Sequence, residues 1–316
     1  MHEYRLGECA DYLAVHSNYW LSGSAGVKFA ADINRAHVVT FHTLAQIKMQ
    51  SRSGEAEIPE RRRAETEIIG AADCIIAYSA HERDAMVRLY GADARRIELI
   101  PCGVDLSRFR PLGRARANRK LGLKGNKILL YVGRIEALKG VDLLIHTAAQ
   151  LESDETVQVL VVGSDADGGQ EIARLQRMAD DLNVGANVEF VGRVPQEQLA
   201  WYYSAADVCV VPSFYESFGL AALESMACGT PVVASRVGGL PTIVQHGRTG
   251  YLKSWRCPES FANSVEMIMD NRSLRDSMGR AARHRAEGLS WDRVAQRLLE
   301  LYARLAVDRV GRTVAA

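Results

Sequence analysis

The 316-residue sequence lacks the features that mark several large classes of protein. Its 39 Lys and Arg residues almost balance its 38 Asp and Glu residues, so the formal net charge is +1. A chain this close to neutral has no overall field that would attract nucleic acid or an anionic membrane surface. No apolar run approaches the length of a membrane span, and the N-terminal residues contain no apolar core of signal-peptide length. We therefore predict a cytoplasmic protein without a transmembrane segment and without a nucleic-acid partner.

Cysteine spacing and catalytic signatures exclude further classes. The six cysteines contain no CxxC pair, so reduced thiols are expected, and neither a zinc site nor any other metal or cofactor is predicted. The sequence has no GxGxxG motif after a strand, no GxxxxGK followed by Ser or Thr, no HExxH and no GxSxG. Nicotinamide-dependent enzymes, P-loop nucleotidases, zinc proteases and serine hydrolases therefore lack their characteristic residues.

Short apolar runs alternate with helical patterns along the chain, as in doubly wound parallel sheets. With 47% hydrophobic residues, the chain can bury the cores of two domains. We predict an α/β protein with a first domain at 1–107, a linker at 108–126, a second domain at 127–287 and a C-terminal helix at 288–316 that packs back toward the first domain. The first strand is predicted at 11–16. Ligands are expected in a cleft between the domains, at the carboxyl ends of the strands.

The predicted linker is basic and contains proline and glycine, which also fits a nucleic-acid-binding arm. We favour a solvated linker, because the segment is short and its cations are not interleaved with aromatic residues.

The most informative stretch is Pro212 to Pro231, with the sequence PSFYESFGLAALESMACGTP. It follows an apolar run typical of a buried strand, and a helix is predicted to begin near Leu220. Glu216 is expected just before that helix and Glu224 in its second turn. The helix amides near Phe218, Gly219 and Leu220 carry the positive end of the helix dipole. Amides flanked by two carboxylates suit a ligand with a phosphate and several hydroxyls, such as a sugar nucleotide.

Two other strand ends carry polar motifs. Gly133 and Arg134 follow the strand KILLYV, and Lys139 comes five residues later, so two cations can straddle a diphosphate. A turn with surface charges is the alternative. Arg193 and Val194 follow the strand NVEFV, where the turn could wall a nucleobase or be an ordinary glycine turn.

Candidate residues of the first domain are less specific. His42 and Thr43 end a predicted strand and are expected in the cleft. Lys48 and Arg61 could contact an anionic acceptor, although solvated helix charges explain them equally well. Tyr19 is either a cleft residue or a packing residue. Asp165 and Asp167 form a DxD sequence in a glycine-rich loop, which we interpret as an exposed turn, without metal.

Together, ESFGLAALE, GRIEALKG, GRVP and PCGVDLSRF resemble the retaining glycosyltransferases of family 4, across nearly the whole chain. HSNYWLSG and FHTLAQIK look more narrowly like the branch that holds D-inositol-3-phosphate glycosyltransferase and sucrose-phosphate synthase. The resemblance implies a GT-B fold of two Rossmann-like domains. It also implies transfer of a hexose-type sugar from a nucleotide-diphosphate sugar to a hydroxyl acceptor, phosphorylated or not, with retention of configuration and without a metal ion.

The same resemblance implies roles for the candidate residues. Arg134 and Lys139 would bind the donor diphosphate, and Glu216 with the amides after it would hold the transferred sugar. The remaining implied donor contacts are Gly133, Arg193, Val194, Ser217, Phe218, Gly219, Leu220 and Glu224. His42 would lie near the reacting centre, and the implied acceptor contacts are Tyr19, Thr43, Lys48 and Arg61. No covalent protein nucleophile is expected. The oligomeric state stays open, a homodimer included.

One departure from the family pattern concerns the N-terminus. Family members begin with a strand and a Gly-rich loop before the segment that matches DYLAVH, and this sequence starts almost at that segment. The first domain is therefore expected to be truncated. A non-catalytic or fragmentary donor-binding homologue is the alternative to an active transferase. A sugar-phosphate epimerase or a phosphorylase of the same fold is a third, less favoured class.

Overall fold

The computed structural model describes residues 12–50, 57–123, 127–152, 157–165, 168–254 and 256–315, with side chains up to residue 307. Asp11, where the first strand was predicted to begin, and Asp167 lie outside these residues. The chain divides into two compact units, one formed by Met1–Cys102 with Asp292–Ala316 and the other by Gly103–Trp291. Among the described residues, no helix combines the length and the apolar character needed to span a membrane.

The first unit contains a parallel four-stranded sheet in the order β1-β2-β3-β4. Its elements up to the fourth strand are β1 (Ala14–Asn18), α1 (Tyr19–Asp32), β2 (Ala36–Thr40), α2 (Ala45–Gln50), α3 (Pro59–Ala71), β3 (Cys74–Ala77), α4 (Ala80–Tyr90), a 3₁₀ turn (Ala94–Arg96) and β4 (Ile97–Leu99). The strand predicted at 11–16 therefore lies further along the chain. Its polar end, His16 to Asn18, stays extended because it pairs in register with β2.

The second unit contains a parallel six-stranded sheet in the order β10-β9-β8-β5-β6-β7. Its first elements are α5 (Arg114–Leu121), β5 (Lys127–Val132), a 3₁₀ turn (Ala137–Lys139), α6 (Val141–Ala149), β6 (Val157–Val162), α7 (Gln170–Asp181), a 3₁₀ turn (Gly185–Asn187) and β7 (Val188–Gly192). The others are α8 (Gln196–Ala205), β8 (Val208–Val211), α9 (Leu220–Ala227), β9 (Val232–Ser235), α10 (Leu240–Ile243), β10 (Gly250–Lys253), α11 (Pro258–Met269) and α12 (Arg272–Glu287). The strand order reverses between β5 and β8, and such a switch point leaves a crevice at the carboxyl ends of the strands.

The last helix, α13 (Trp291–Ala315), belongs to the first unit. Strands in consecutive order require crossovers that all step one way, and right-handed crossovers then place the connecting helices on one face. A Cβ atom on Gly26 of α1 would lie 2.7 Å from His37 Nε2, so α1 covers the face that His37 occupies. Val294 and Leu301 of α13 pack on the other face, against Val38. In the described residues this first sheet is therefore wound in one direction, whereas the second is doubly wound.

The segment predicted as a solvated linker differs in the structure. It contains α5, and Phe109 is only 2% exposed, with its ring edge-on to Tyr203 at 6.1 Å between centroids. Arg114 pairs with the fully buried carboxylate of Asp207, which also lies 2.7 Å from Arg275. Arg114 of this segment thus has its partner inside the second unit. A basic composition alone did not reveal this packing.

Candidate functional site

The switch point of the second sheet brings together two charged residues that are 77 positions apart. Lys139 ends the 3₁₀ turn that follows β5, and Glu216 lies in the loop that follows β8. Lys139 Nζ is 2.7 Å from Glu216 Oε2, and the two side chains are 19% and 15% exposed. The Ser213 hydroxyl donates to the same carboxylate oxygen at 3.3 Å. A shielded ion pair therefore occupies the place where ligands bind in open α/β sheets.

Glycines hold the loop of Glu216 in position. The amide of Gly239 donates to the Glu216 carbonyl at 3.0 Å, and a Cβ atom on Gly238 would lie 1.8 Å from the same oxygen. Gly219, which precedes α9, has a φ of 106°, a conformation that favours glycine. No side chain caps α9. Its first turn can therefore receive an anion or a hydroxyl.

The other predicted residues of this loop take different positions. Phe218 is 2% exposed and belongs to the core, whereas Leu220 is 44% exposed and Ser217 is half-buried. Phe218 can therefore offer a ligand only its backbone. Their adjacent positions in the sequence suggested one shared role for these residues, and their different burial separates them.

Backbone hydrogen bonds hold the carboxyl ends of β5, β6 and β7 close together. Gly133 donates from its amide to Val162, and Gly163 donates to Gly192 at 2.9 Å. A Cβ atom on Gly163 would lie 1.8 Å from the Gly133 carbonyl oxygen, so this approach requires glycine. Arg193 and Val194 follow directly, the first exposed and the second half-buried. The predicted diphosphate and base residues therefore follow β5 and β7, which are separated in the sheet by β6.

Arg134 lies at the same edge of the sheet as the Lys139–Glu216 pair. Its side chain is 76% exposed and pairs with Glu136 at 3.1 Å. Its carbonyl accepts a hydrogen bond from the buried Tyr131 hydroxyl at 2.6 Å. The backbone of Arg134 is thus anchored while its guanidinium extends into solvent.

Glu224 faces α8. The Tyr203 hydroxyl donates to Glu224 Oε2 at 2.9 Å, and burial raises the pKa of this carboxyl to about 7. The hydrogen bonds from Tyr203 and Gln196 and the charge of Arg108 partly offset that effect. Tyr203 was not found from the sequence, because nothing in a helical apolar pattern distinguishes a tyrosine that packs from one that also holds a carboxylate.

In the first unit, His42 lies after β2 with a φ of 62°, in the left-handed region that non-glycine residues seldom adopt. Its Nε2 is 3.1 Å from Asn18 Oδ1, and its Nδ1 contacts the Tyr78 hydroxyl. Burial lowers the pKa of the imidazole. At neutral pH the ring is therefore uncharged.

Arg61 is the centre of a second cluster in the first unit. Its guanidinium contacts Glu65 at 2.7 Å, Glu57 at 2.9 Å and the Thr43 side chain at 3.1 Å. It also lies over the Tyr19 ring, 5.1 Å from the centroid. Arg61 is only 6% exposed, so the solvated-surface interpretation is wrong for this residue.

Lys48 joins the same cluster through Glu57. Its Nζ lies 3.1 Å from Glu57 Oε1, while Arg61 binds the other carboxylate oxygen. One carboxylate therefore bridges the two cations that the sequence assigned to an anionic acceptor. Glu65, fully buried, was not anticipated; it accepts hydrogen bonds from the Ala45 amide, Arg61 and the Tyr90 hydroxyl.

Asp165 has a structural role. Its carboxylate accepts hydrogen bonds from the amides of Gly169 at 2.9 Å and Glu171 at 3.1 Å, at the start of α7. The part of the chain that the structure describes contains no group of three His, Cys, Asp or Glu side chains placed to hold a metal ion.

Two family models match this chain. The model described as "Glycosyl transferases group 1" matches residues 114–285, and "Glycosyltransferase Family 4" matches residues 5–108. A D-inositol 3-phosphate glycosyltransferase of Thermobifida fusca (strain YX) is 41% identical over 300 residues, which cover 92% of this chain and 69% of that protein. That of Pseudarthrobacter chlorophenolicus is 41% identical over 312 residues, which cover 96% of this chain and 74% of that protein.

Two solved structures are also similar to this chain. Sucrose-phosphate synthase from Thermosynechococcus elongatus has a TM-score of 0.86 at 38% identity and covers 97% of this chain and 76% of its own. Anabaena Alr3699/HepE, in complex with UDP and glucose, has a TM-score of 0.79 at 22% identity, covering 92% of this chain and 77% of its own, and shows the fold alone.

The chain therefore belongs to the family 4 glycosyltransferases, whose second domain is of the group 1 type. The predicted family, the parallel α/β fold of two domains and the enzyme class are confirmed. The chain spans about two thirds of the length of these relatives. It covers 69% of the protein from Thermobifida fusca and 66% of a further D-inositol 3-phosphate glycosyltransferase from Streptomyces bingchenggensis.

Proposed function

We propose that this glycosyltransferase moves a hexose-type sugar from a nucleotide-diphosphate sugar to a hydroxyl of a phosphorylated acceptor, with retention of configuration and without a metal ion. The observation that carries the proposal is the Lys139–Glu216 ion pair at the switch point of the second sheet, 2.7 Å apart and largely shielded. A cation beside a carboxylate at a helix N-terminus matches a ligand that joins a diphosphate to a polyhydroxyl ring.

Each donor residue has a distinct task in this proposal. Lys139 exchanges its contact with Glu216 for a phosphate oxygen, which frees the carboxylate to accept hydrogen bonds from sugar hydroxyls. The amides at the start of α9 bind at the same place. Arg134, whose side chain is exposed, binds the second phosphate. Glu224, held by Tyr203, accepts hydrogen bonds from the ribose hydroxyls.

The phosphorylated acceptor is supported by the first unit and by the relatives' names. Arg61 and Lys48 both bind Glu57, so an anion already bridges these cations, and Thr43 adds a hydroxyl beside them. A phosphate is the ligand that would replace this carboxylate. The relatives from Thermobifida fusca and Pseudarthrobacter chlorophenolicus are named for D-inositol 3-phosphate, and the protein from Thermosynechococcus elongatus is named as a sucrose-phosphate synthase.

The proposed reaction balances without a protein nucleophile. The bond between the sugar C1 and the diphosphate oxygen breaks, and the acceptor oxygen forms a new bond to C1 on the same face. The acceptor proton passes to the leaving diphosphate. Lys139, Arg134 and the α9 amides stabilise the charge that builds on that diphosphate, a form of preorganised electrostatic catalysis.

Transfer can be tested with UDP-, GDP- and ADP-glucose against a set of polyol and sugar phosphates that includes D-inositol 3-phosphate. We expect one nucleotide to be released as the sugar is transferred, a product with the donor's α configuration by NMR, and an unchanged rate in EDTA. Free inositol, without the phosphate, is the matched control acceptor and should react far more slowly. An inverted product, loss of activity in EDTA, or equal rates with and without the acceptor phosphate would each contradict a part of the proposal.

The ribose contact predicts a smaller effect. Tyr203→Phe removes the hydrogen bond to Glu224, and losing one bond to a charged group should weaken nucleotide binding about tenfold. Isothermal titration with the accepted nucleoside diphosphate measures this change. Tyr202→Phe, one position along α8, is the control and should leave the affinity unaltered. Equal affinities of the Tyr203 variant and the parent would show that Glu224 does not bind the ribose.

A further inference from the structure

Both ring nitrogens of His42 have a partner. Asn18 Oδ1, 3.1 Å from Nε2, can only accept a hydrogen bond, so Nε2 carries the proton of the neutral ring. Nδ1 is then an acceptor, and the Tyr78 hydroxyl donates to it. The two partners come from different elements, the end of β1 and the turn after β3. One tautomer of His42 therefore satisfies both contacts.

Tyr78 is itself held firmly. Its amide donates to Glu82 Oε2 at 2.7 Å, and Glu82 is 5% exposed. The Ser79 side chain caps α4 by accepting from the Glu82 amide at 3.1 Å. The Cys102 thiol contacts the Tyr78 hydroxyl. The first two contacts fix the backbone at Tyr78, and the side chain is confined because the residue is only 9% exposed.

We propose that Tyr78 is a positioning residue of this transferase, which fixes His42 as the Nε2–H tautomer and so keeps that N–H available to a sugar hydroxyl of a substrate. Its link to turnover rests on the proposed function above. The left-handed backbone of His42 places the ring between Asn18 and Tyr78, and a residue in this conformation persists only where its surroundings determine it. A sugar hydroxyl that replaces Asn18 Oδ1 then meets a donor of fixed direction, with no proton rearrangement.

The tautomer can be observed directly by NMR of the full chain labelled with ¹⁵N at histidine. His42→Gln identifies the His42 signals among those of the eight histidines. Above pH 8 the parent should show a protonated Nε2 and a bare Nδ1, and Tyr78→Phe should shift His42 toward a mixture of both tautomers. The pKa of His42 should rise in this variant, because the neutral ring loses the hydrogen bond that favoured it. His16 on β1, the Cys102 thiol and Glu82 are the other titratable groups around His42 and Tyr78, and they are unchanged in the variant.

Kinetics then connect the tautomer to turnover. Tyr78→Phe should lower kcat about tenfold, less than the roughly 10²–10⁴-fold that a positioned proton-transfer group itself contributes, and leave the donor KM within about twofold. Tyr302→Phe is a matched control. Tyr302 contacts His16 Nδ1 at 2.5 Å, so this variant also removes a tyrosine hydroxyl from a histidine of the same unit. Its kcat should stay within about twofold of the parent.

A parent in which His42 carries its proton on Nδ1 overturns the proposal whether or not the variant folds. A Tyr78→Phe variant with the parent tautomer and the parent kcat overturns it as well. Failure of the proposed function has a different signature, because Lys139 and Glu216 variants would then be fully active while the tautomer stays fixed.

Discussion

Replacing Lys139 with methionine should lower kcat about a thousandfold, the loss typical of removing one preorganised group that stabilises transition-state charge. The charge on the leaving diphosphate grows as the bond to C1 breaks, so the lysine contributes more in the transition state than in the bound donor. Donor KM should change much less than kcat. Steady-state rates of nucleotide release measure both quantities. A variant that keeps kcat within threefold of the parent would show that Lys139 does not act in the catalytic site.

Another lysine of the second unit offers a matched control. Lys127 is the first residue of β5, at the end of the strand opposite the candidate site, and it pairs with Asp270 at 2.6 Å. Lys127→Met should therefore leave kcat within about twofold, as expected for a substitution away from the site. Glu216→Gln and the double variant complete a cycle. Because the two residues contact each other, we expect the double variant to lose less than the sum of the single losses.

Replacing Arg61 with leucine should lower the free energy of unfolding by about 3–5 kcal/mol, because it leaves the carboxylate of Glu65 buried without its cationic partner. Glu65 has no solvent exposure, and no other cation contacts it among the described residues. The effect on stability should accompany weaker binding of the phosphorylated acceptor. Denaturant unfolding, followed by circular dichroism, measures the first effect.

Arg62 provides the control for this prediction. It is adjacent on α3 but exposed, so Arg62→Leu should change the free energy of unfolding by less than about 0.5 kcal/mol. Equal stabilities of the two variants would show that the Arg61–Glu65 pair contributes no more than a surface contact. Retained acceptor KM in a folded Arg61→Leu protein would instead remove Arg61 from the acceptor site.

Strands were the most predictable part of the fold. The run Lys127 to Val132 forms β5 with the predicted bounds, and the run NVEFV forms β7 with a shift of one residue. The four central residues of β5 are buried, as in a strand covered on both faces, and this burial selects a continuous apolar run that is visible without an alignment. The first strand was misplaced because its last residues are polar and are held extended by pairing with β2. The helix α5 was hidden in a basic segment whose partners lie elsewhere in the chain.

The candidate site also contains some residues that the sequence predicted and others that it did not. Lys139 and Glu216 were found because each follows an apolar run, and parallel strands bring such positions to one edge. Tyr78, Glu65 and Tyr203 were not found. Each acts through a contact with a residue 21 to 36 positions away or on another element, and no local pattern marks such a contact.

By itself, the sequence determined the family, the parallel α/β fold and the strand ends that carry charged residues, because hydrophobic burial and turn chemistry act locally and leave periodic patterns. The tertiary structure decided which of those residues meet. It paired Lys139 with Glu216, buried Arg61 against Glu65 and set Tyr78 beside His42. Contacts of this kind depend on strand order and on packing between distant segments, and a side chain's identity does not specify its partner.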